Sequence, residues 1–200
     1  MTQEPLSYLT NLTCSECGVK FDADQVQTFC PACQAPLMAA YNLTAVRTHL
    51  DRDTVSRRQP GMWRWAELLP VRDPAHRLTL GEGDAPLLPL PRLGAELGLP
   101  HLFCKEEGRN PTGSFKARGL AAAVSKAKEL GLQRLIIPTA GNAGGALAAY
   151  AARGGMQACV IMPDDTPLAN IEETRIAGAE VILVPGLISD AARLAGEKAR

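Results

Sequence analysis

Four cysteines near the N-terminus have the residue type and spacing of a metal site. Cys14, Cys17, Cys30 and Cys33 form two C-x2-C pairs with twelve residues between them. Thiolates two residues apart can point at one ion, and two such pairs complete a closed tetrahedral site for structural zinc. Disulfides and unrelated thiols are the alternatives. A cytoplasmic chain keeps its thiols reduced, which favours zinc.

A second candidate group is Lys116, in the stretch "EEGRNPTGSFKARGL". Pro111 and Gly113 predict a turn, and Ser114 predicts a helix N-cap, so Lys116 falls in the first helical turn. A cation there faces the positive end of the helix dipole, where stability alone favours Asp or Glu. The placement indicates an amine kept neutral or covalently occupied, as in a Schiff base with an aldehyde cofactor. A solvated surface lysine is the alternative.

The third candidate is the segment "RLIIPTAGNAGGALAAYAARGG" at 134–155. Its pattern predicts a strand, a glycine turn and a helix. This arrangement presents backbone N–H groups to an anion at the carboxyl edge of a parallel sheet. Gly141 and Gly144 let a ligand approach the main chain. The GxGxxG spacing of a dinucleotide site is absent, and no acidic residue follows where a ribose needs one. An ordinary βα turn with a glycine cap is the alternative.

The elements that must position these groups follow from the hydrophobic pattern. From about residue 78, short apolar runs alternate with Ala-rich amphipathic segments, which predicts an α/β fold with a parallel sheet and crossover helices. Strands are predicted near 101–105, 134–138, 157–162 and 180–184, and helices near 114–130, 142–153, 168–178 and 189–200. Each crossover is close to the length that joins parallel strands. Trp63 and Trp65 are predicted to cover an edge of the core.

Composition narrows the function classes. The 200 residues carry 21 basic and 21 acidic side chains, so no global field attracts nucleic acid or an anionic membrane. The cysteine-rich segment itself has one Lys against Glu16, Asp22 and Asp24, which argues against a nucleic-acid-binding ribbon. Neither a signal peptide nor an eighteen-residue apolar run is present. We therefore expect a cytoplasmic protein without a nucleic-acid or membrane partner.

The final residues "SDAARLAGEKAR" predict a helix without a stop signal, so we expect the front part of a longer protein.

Two motifs carry a family resemblance. The segments "EGRNPTGSFKARG" and "PTAGNAGGALAAYAARGG" resemble the β-family, or fold type II, of pyridoxal-phosphate enzymes, which includes the β-subunit of tryptophan synthase. Within that family the order of the cysteine ribbon, "RWAELLP", "LTLGEGDAPLLPLPRLG" and both motifs is similar to ribbon-bearing threonine synthases. The resemblance covers nearly the whole chain.

The resemblance implies a role for each candidate residue. Lys116 would hold pyridoxal 5'-phosphate as an internal aldimine and act as the general base, and Asn142 would hydrogen-bond the phenolic oxygen of the cofactor ring. The 139–144 loop, with Thr139, Gly141, Asn142 and Ala143, would bind the carboxylate of an amino-acid substrate through backbone N–H groups. The implied reaction converts O-phosphohomoserine and water to threonine and phosphate. Arg109 and Arg118 are candidate phosphate partners, with surface salt bridges as an equal alternative.

The chain departs from the threonine synthase pattern at three positions. Ala117 follows the lysine where Asp is usual, and Ala140 and Ala143 stand where hydroxyl side chains are usual. "SFKARG" is also similar to serine and threonine dehydratases, so a lyase that deaminates serine or threonine is the first alternative. A non-catalytic scaffold or nucleic-acid-binding ribbon is the alternative of another class.

The implied domain plan has four parts. Residues 1–37 would form a zinc ribbon and 38–77 a linker or N-terminal extension. Residues 78–124 would begin a large cofactor-binding lobe, and 125–200 a smaller, mobile α/β lobe. The phosphate cup of the cofactor and the partner of its pyridine nitrogen are expected beyond residue 200.

Overall fold

The N-terminal unit is a small antiparallel sheet that carries the four cysteines. A computed structural model describes residues 6–199; the first five residues of the predicted ribbon lie outside this range. The sheet has the strand order β2-β1-β3, from β1 (Leu9–Cys14), β2 (Lys20–Phe21) and β3 (Leu37–Tyr41). Cys14 ends β1, and a buried Cys30 lies in the loop before β3. The hairpin connections thereby bring the two cysteine pairs together.

Short helices connect this sheet to the rest of the chain. They are α1 (Leu43–His49), α2 (Arg52–Arg57) and two 3-10 turns, Met62–Leu68 and Pro74–His76. The indole N–H of Trp63 donates to the Leu78 carbonyl at 2.8 Å, and its ring packs against the main core. Trp65 is 46% exposed. Of the two tryptophans predicted to cover the core edge, Trp63 therefore does so.

A second small sheet follows the linking region. Strands β4 (Leu87–Pro89) and β5 (Phe103–Lys105) pair antiparallel, with helix α3 (Pro91–Glu96) between them. The strand predicted near 101–105 is thus present from 103, but it lies outside the parallel sheet. The short α3 and the tight turn at Gly98 (φ 68°) return the chain beside β4, which reverses its direction. Cys104 is exposed on this sheet.

The remaining elements form a parallel α/β unit. In chain order they are α4 (Lys116–Glu129), β6 (Arg134–Pro138), α5 (Asn142–Gly154), β7 (Gln157–Pro163), α6 (Leu168–Ile176), β8 (Glu180–Val184) and α7 (Ile188–Lys198). The strands are parallel in the order β6-β7-β8. The predicted parallel α/β fold is therefore confirmed here; Arg200, at the end of the last predicted helix, lies outside the described residues.

Helices cover both faces of this sheet. Val160 and Met162 of β7 face a core shared with α4 and α5, while Cys159 and Ile161 face Ala191 on α7. All four β7 residues are fully buried. Because both faces of this central strand are buried, its sequence "ACVIM" is a continuous apolar run.

Helices α4 and α5 pack closely through small side chains. Ala117 and Ala121 of α4 are fully buried and share a core cluster with Leu147 and Tyr150 of α5. Helix α4 runs without a break through 124–125, where the sequence predicted a lobe boundary. The packing holds the start of α4, and with it Lys116, against α5.

The cysteine-bearing sheet docks on the far end of α4. Asp24 accepts hydrogen bonds from Lys126 Nζ at 2.7 Å and from Arg72 Nε at 2.9 Å. Glu129 accepts from Lys126 at 2.6 Å and from the Arg72 backbone N–H at 2.8 Å. A cavity of about 290 Å³ lies beside this contact, between the sheet and α4. The network joins the N-terminal sheet, the linking region and the helix that begins at Lys116.

Within residues 6–199, no helix is both long enough and apolar enough to cross a bilayer.

Candidate active site

Lys116 is the first residue of α4 and is half-buried. Its ammonium group lies 4.4 Å from the centroid of the Phe115 ring. Among the described residues it has no carboxylate partner, whereas Lys126 in the same helix has two. The Lys116 amine is therefore not committed to an ion pair within this part of the chain, and it can react with a ligand.

The turn before Lys116 caps the helix as predicted. Ser114 is buried and extended (φ −157°, ψ 165°), and Phe115 already has helical dihedral angles. The Ser114 hydroxyl accepts a hydrogen bond from the Lys116 N–H at 3.3 Å, and its carbonyl accepts from the Ala117 N–H. Although α4 is counted from Lys116, Ser114 thus has the geometry of an N-cap.

A buried polar frame holds this turn in place. Asn110 accepts from the Gly83 N–H at 3.1 Å and donates to Glu107 at 2.8 Å. Glu107 in turn accepts two hydrogen bonds from Arg118, of 2.7 and 2.9 Å. Arg118, a candidate phosphate partner from the sequence, is therefore engaged by Glu107, while Arg109 is exposed.

A second buried contact ties the "GEGDAP" loop to α5. The Tyr150 hydroxyl donates to Glu82 Oε2 at 2.5 Å, and both residues are fully buried. Burial, together with the Glu82 carboxylate, raises the pKa of Tyr150. Glu82 Oε2 also accepts from the Leu80 N–H at 3.0 Å. The loop that contacts Asn110 through Gly83 is thereby fixed to the helix that begins at Asn142.

The predicted anion-binding loop lies between β6 and α5. The Thr139 N–H donates to the Ile161 carbonyl at 3.0 Å, and the Gly141 N–H donates to the Thr139 hydroxyl at 3.2 Å. Asn142 is exposed and begins α5, followed by Ala143. N–H groups in a first turn lack intrahelical acceptors, so those of Asn142 and Ala143 are available to an anion.

Gly144 is required by close packing beneath this loop. A Cβ at this position would lie 2.8 Å from Met162 Cε and 3.1 Å from Thr139 Cγ2. The Asn170 side chain on α6 donates to the Ala140 carbonyl at 3.5 Å. The start of α5 is therefore held from below by β7 and from the side by α6.

The four N-terminal cysteines converge as predicted from their spacing. Their Sγ atoms lie within 4.8 Å of one another, with Cys14–Cys33 at 3.4 Å and Cys17–Cys30 at 3.6 Å. A tetrahedral site with Zn–S bonds of about 2.3 Å needs sulfur separations of about 3.8 Å, far longer than a disulfide bond of about 2.05 Å. The cluster therefore has the donor atoms and dimensions to hold a metal ion.

Backbone geometry prepares this cluster. The Gly18 N–H donates to the Cys14 carbonyl and the Gln34 N–H to the Cys30 carbonyl, so both cysteine pairs lie on similar turns. Gly18 (φ 72°) and Gln34 (φ 59°) are left-handed. Hydrogen bonds from the Cys17 and Glu16 N–H groups lower the pKa of Cys14 to about 6. At Cys14 the thiolate, the form that binds metals, is thereby favoured.

Comparison with known proteins identifies the protein family to which this site belongs. The family model described as pyridoxal-phosphate dependent enzyme matches residues 78–200. The match includes Lys116, the frame around Asn110 and the whole parallel sheet. The chain belongs to this family of enzymes.

The more particular likeness is to threonine synthases. The threonine synthase of Methanocaldococcus jannaschii is 36% identical over 179 residues, which cover 89% of this chain and 44% of that protein. The threonine synthase of a Synechocystis species is 46% identical over 125 residues, covering 62% of this chain and 33% of that protein. The chain thus spans less than half the length of these relatives.

Solved structures confirm the fold type II α/β fold. The crystal structure of O-ureido-L-serine synthase superposes with a TM-score of 0.52 at 29% identity, covering 57% of this chain and 38% of that one. Diaminopropionate ammonia lyase from Escherichia coli superposes with a TM-score of 0.57 at 23% identity, covering 62% and 37%. The second likeness concerns the fold alone.

The residues present fit pyridoxal phosphate. The cofactor's aldehyde requires an accessible amine outside an ion pair, and Lys116 offers one within the described part of the chain. Its packing against α5 also brings it into the same unit as the available N–H groups of Asn142 and Ala143. Ala117, where threonine synthases usually have Asp, is buried in the α4–α5 core. The departure at this position therefore lies in the core next to the lysine.

The sequence singled out neither Asn110 nor the Glu107–Arg118 pair as parts of the site. An Asn followed by Pro indicates a turn, and Asn110 followed by Pro111 has this pattern. Glu107 and Arg118 are eleven residues apart with a turn between them, so no helical spacing indicates their contact.

Proposed function

We propose that this chain is part of a threonine synthase that converts O-phosphohomoserine and water to threonine and phosphate, with pyridoxal phosphate bound at Lys116. The observation that carries the proposal is the half-buried amine at the start of α4, which has no ion-pair partner among residues 6–199 and lies beside α5. Threonine synthases resemble this chain. The residue roles below belong to the same proposal.

Pyridoxal phosphate, when bound, supplies an electron sink for the substrate carbons. Lys116 would hold the cofactor and, once the substrate amine has displaced it, move protons at the α-carbon and its neighbours. Phosphate leaves the γ-carbon and water adds at the β-carbon, so the products contain all the atoms of both reactants.

The loop between β6 and α5 would bind the substrate carboxylate. Of the predicted residues Thr139, Gly141, Asn142 and Ala143, the last two have N–H groups available in the first turn of α5. Thr139 and Gly141 would instead shape the loop through their own hydrogen bond. Asn142, which is exposed at the helix start, would hydrogen-bond the phenolic oxygen of the cofactor.

The cysteine cluster would hold structural zinc. The supporting observation is the convergence of four sulfur atoms, with all four ligand positions supplied by the protein. A closed four-sulfur site leaves no position for a reacting water, so the metal would stabilise the ribbon and take no part in the reaction.

The division of the chain at 37, 77 and 124 into ribbon, linker and two lobes is part of the proposal. The cofactor would bind between the lobes, and the smaller one would move on substrate binding. A cytoplasmic location and the absence of a nucleic-acid partner stay predictions from the sequence.

A dehydratase acting on serine or threonine is the second candidate. Ala140 and Ala143 favour it, because threonine synthases usually have hydroxyl side chains at these two positions of the loop. In the dehydratase reaction the products are a keto acid and ammonia, and no phosphate is released.

One assay separates the candidates. Full-length protein with pyridoxal phosphate is incubated with O-phosphohomoserine, and separately with serine and with threonine. Equal amounts of phosphate and threonine from O-phosphohomoserine support the synthase. Keto acid from serine or threonine, without phosphate from O-phosphohomoserine, supports the dehydratase. No product from any of the three substrates contradicts both.

A further inference from the structure

Thr112 has an unusual backbone conformation directly before the lysine-bearing helix. It lies in the turn Pro111–Gly113 with φ 59° and ψ 23°, the left-handed region. Among residues 6–199, the other non-glycine residues with positive φ are Gln34 and Asp84, and Thr112 is the β-branched one. A β-branched side chain is strongly disfavoured there, whereas Gly or Asn is accommodated.

The surrounding structure forces this conformation. The Gly113 N–H donates to the Asn110 carbonyl at 3.0 Å, and the Asn110 side chain is itself bonded to Gly83 and Glu107. On the other side, buried Ser114 begins α4. Fixed at both ends, the turn cannot relax to a more common geometry. Strain of this kind is found where ligands bind.

The Thr112 hydroxyl adds a second unfavourable feature. Its Oγ1 is buried and has no hydrogen-bond partner among the described residues. A buried hydroxyl without a partner loses its hydration without compensation. Neither the backbone strain nor the unpaired hydroxyl stabilises the chain by itself, and a hydrogen bond from this hydroxyl to a ligand would offset the cost of its burial.

The position of the turn indicates which ligand this is. Thr112 lies four residues before Lys116, in the turn Pro111–Gly113. This turn contacts α4 and also α5, the helix that begins at Asn142. The asparagine loop itself has Ala140 and Ala143 in place of hydroxyl groups. A hydroxyl on the neighbouring turn can therefore supply a hydrogen-bond donor where Ala140 and Ala143 offer none.

We propose that Thr112 is a substrate-binding residue whose hydroxyl donates a hydrogen bond to an anionic oxygen of the amino-acid substrate. The proposal rests on the function proposed above, because it needs an amino-acid substrate at Lys116. It assigns the strained turn to substrate recognition and leaves cofactor attachment to the lysine.

The test compares Thr112→Val with Thr112→Ser in the full-length holoprotein. Val keeps the branched shape and removes the hydroxyl, while Ser keeps the hydroxyl. We expect Val to raise KM about 10-fold, the effect of losing one hydrogen bond to a charged group, and Ser to stay within about 3-fold of the wild type. The visible absorbance of the bound cofactor should be unchanged in both.

Melting temperatures without substrate separate binding from a structural role. Removing an unpaired buried hydroxyl should leave the melting temperature of the Val variant equal to the wild type or higher. A Val variant with wild-type KM overturns the proposal, whatever its melting temperature. If the Val variant does not fold, Thr112→Ala, which also lacks the hydroxyl, decides by the same KM criterion. A wild-type protein without cofactor absorbance or turnover contradicts the proposed function instead.

Discussion

Arg118 holds Glu107 through two parallel hydrogen bonds, from Nε to Oε2 at 2.7 Å and from Nη2 to Oε1 at 2.9 Å. Arg118 lies two residues after Lys116, and the pair joins the first turn of α4 to the turn that contains Asn110. Bidentate geometry between partly buried groups makes such a pair stronger than an ordinary surface ion pair.

This pair predicts an acid-dependent loss of stability. The hydrogen bond from Arg118 lowers the pKa of Glu107 in the folded protein. The stabilisation is therefore complete above the unfolded pKa of about 4.3 and is lost as the pH falls through the lower folded value. We expect Glu107→Gln to lower the melting temperature at pH 7 and to have progressively less effect as the pH falls below about 4.

Glu172→Gln is the matched control, because its pair with Arg175 is about half exposed on both sides. This variant should change the melting temperature little at any pH. Two results would contradict a stabilising Glu107–Arg118 pair. One is a Glu107→Gln change in melting temperature at pH 7 as small as that of the control. The other is a change as large at pH 3 as at pH 7.

Lys116→Ala should abolish the visible absorbance of protein-bound pyridoxal phosphate and reduce turnover at least about 1000-fold, because covalent attachment and proton transfer depend on one amine. Lys128→Ala, in the last turn of the same helix, is the control and should keep both. An absorbance band that survives in the Lys116 variant would place the cofactor on another residue.

Replacing two cysteines, one from each pair, tests the metal centre. We expect Cys14→Ser with Cys30→Ser to remove bound zinc, measured by elemental analysis, and to lower the melting temperature by at least about 5 °C. Cys104→Ser, an exposed cysteine outside the cluster, should change neither. Unchanged zinc content and melting temperature in the double variant would rule out a zinc site here.

Two glycines in neighbouring helices provide a matched stability test. Gly144→Ala must displace Met162, Val160 and Thr139, so we expect a loss of about 1–3 kcal/mol in unfolding free energy and weaker substrate binding at the 139–144 loop. Gly119→Ala meets nothing within 4 Å and should stabilise α4 by about 0.5–1 kcal/mol. Equal effects of the two changes on unfolding free energy would show that the close packing under the loop is unimportant.

The parallel α/β unit was predictable because its signals are local. The apolar run and the glycine turn around 134–144 indicate a strand and a helix start, and β6 and α5 begin at the predicted residues. The cysteine cluster was predictable for the same reason, since ligand spacing alone brings each pair together.

The polar frame of the site could not be predicted in this way. The contact of Asn110 with Gly83 and that of Tyr150 with Glu82 join segments far apart in sequence, and each depends on how β4, α4 and α5 pack. The left-handed conformation of Thr112 is likewise imposed by tertiary contacts against the preference of the residue. Pairing of β5 with β4 also escaped prediction, because a three-residue strand carries little periodicity.

The docking of the cysteine sheet on α4 has a consequence for synthesis of the chain. The strands of that sheet pair entirely within residues 9–41, whereas its ion pair with Lys126 spans 102 residues from Asp24. At about 5–20 residues per second, a ribosome would expose the sheet for roughly 5–20 s before the helix that receives it has been made. The N-terminal unit can therefore fold before that helix exists, and four converging cysteines that bind an ion early would stabilise it during that interval.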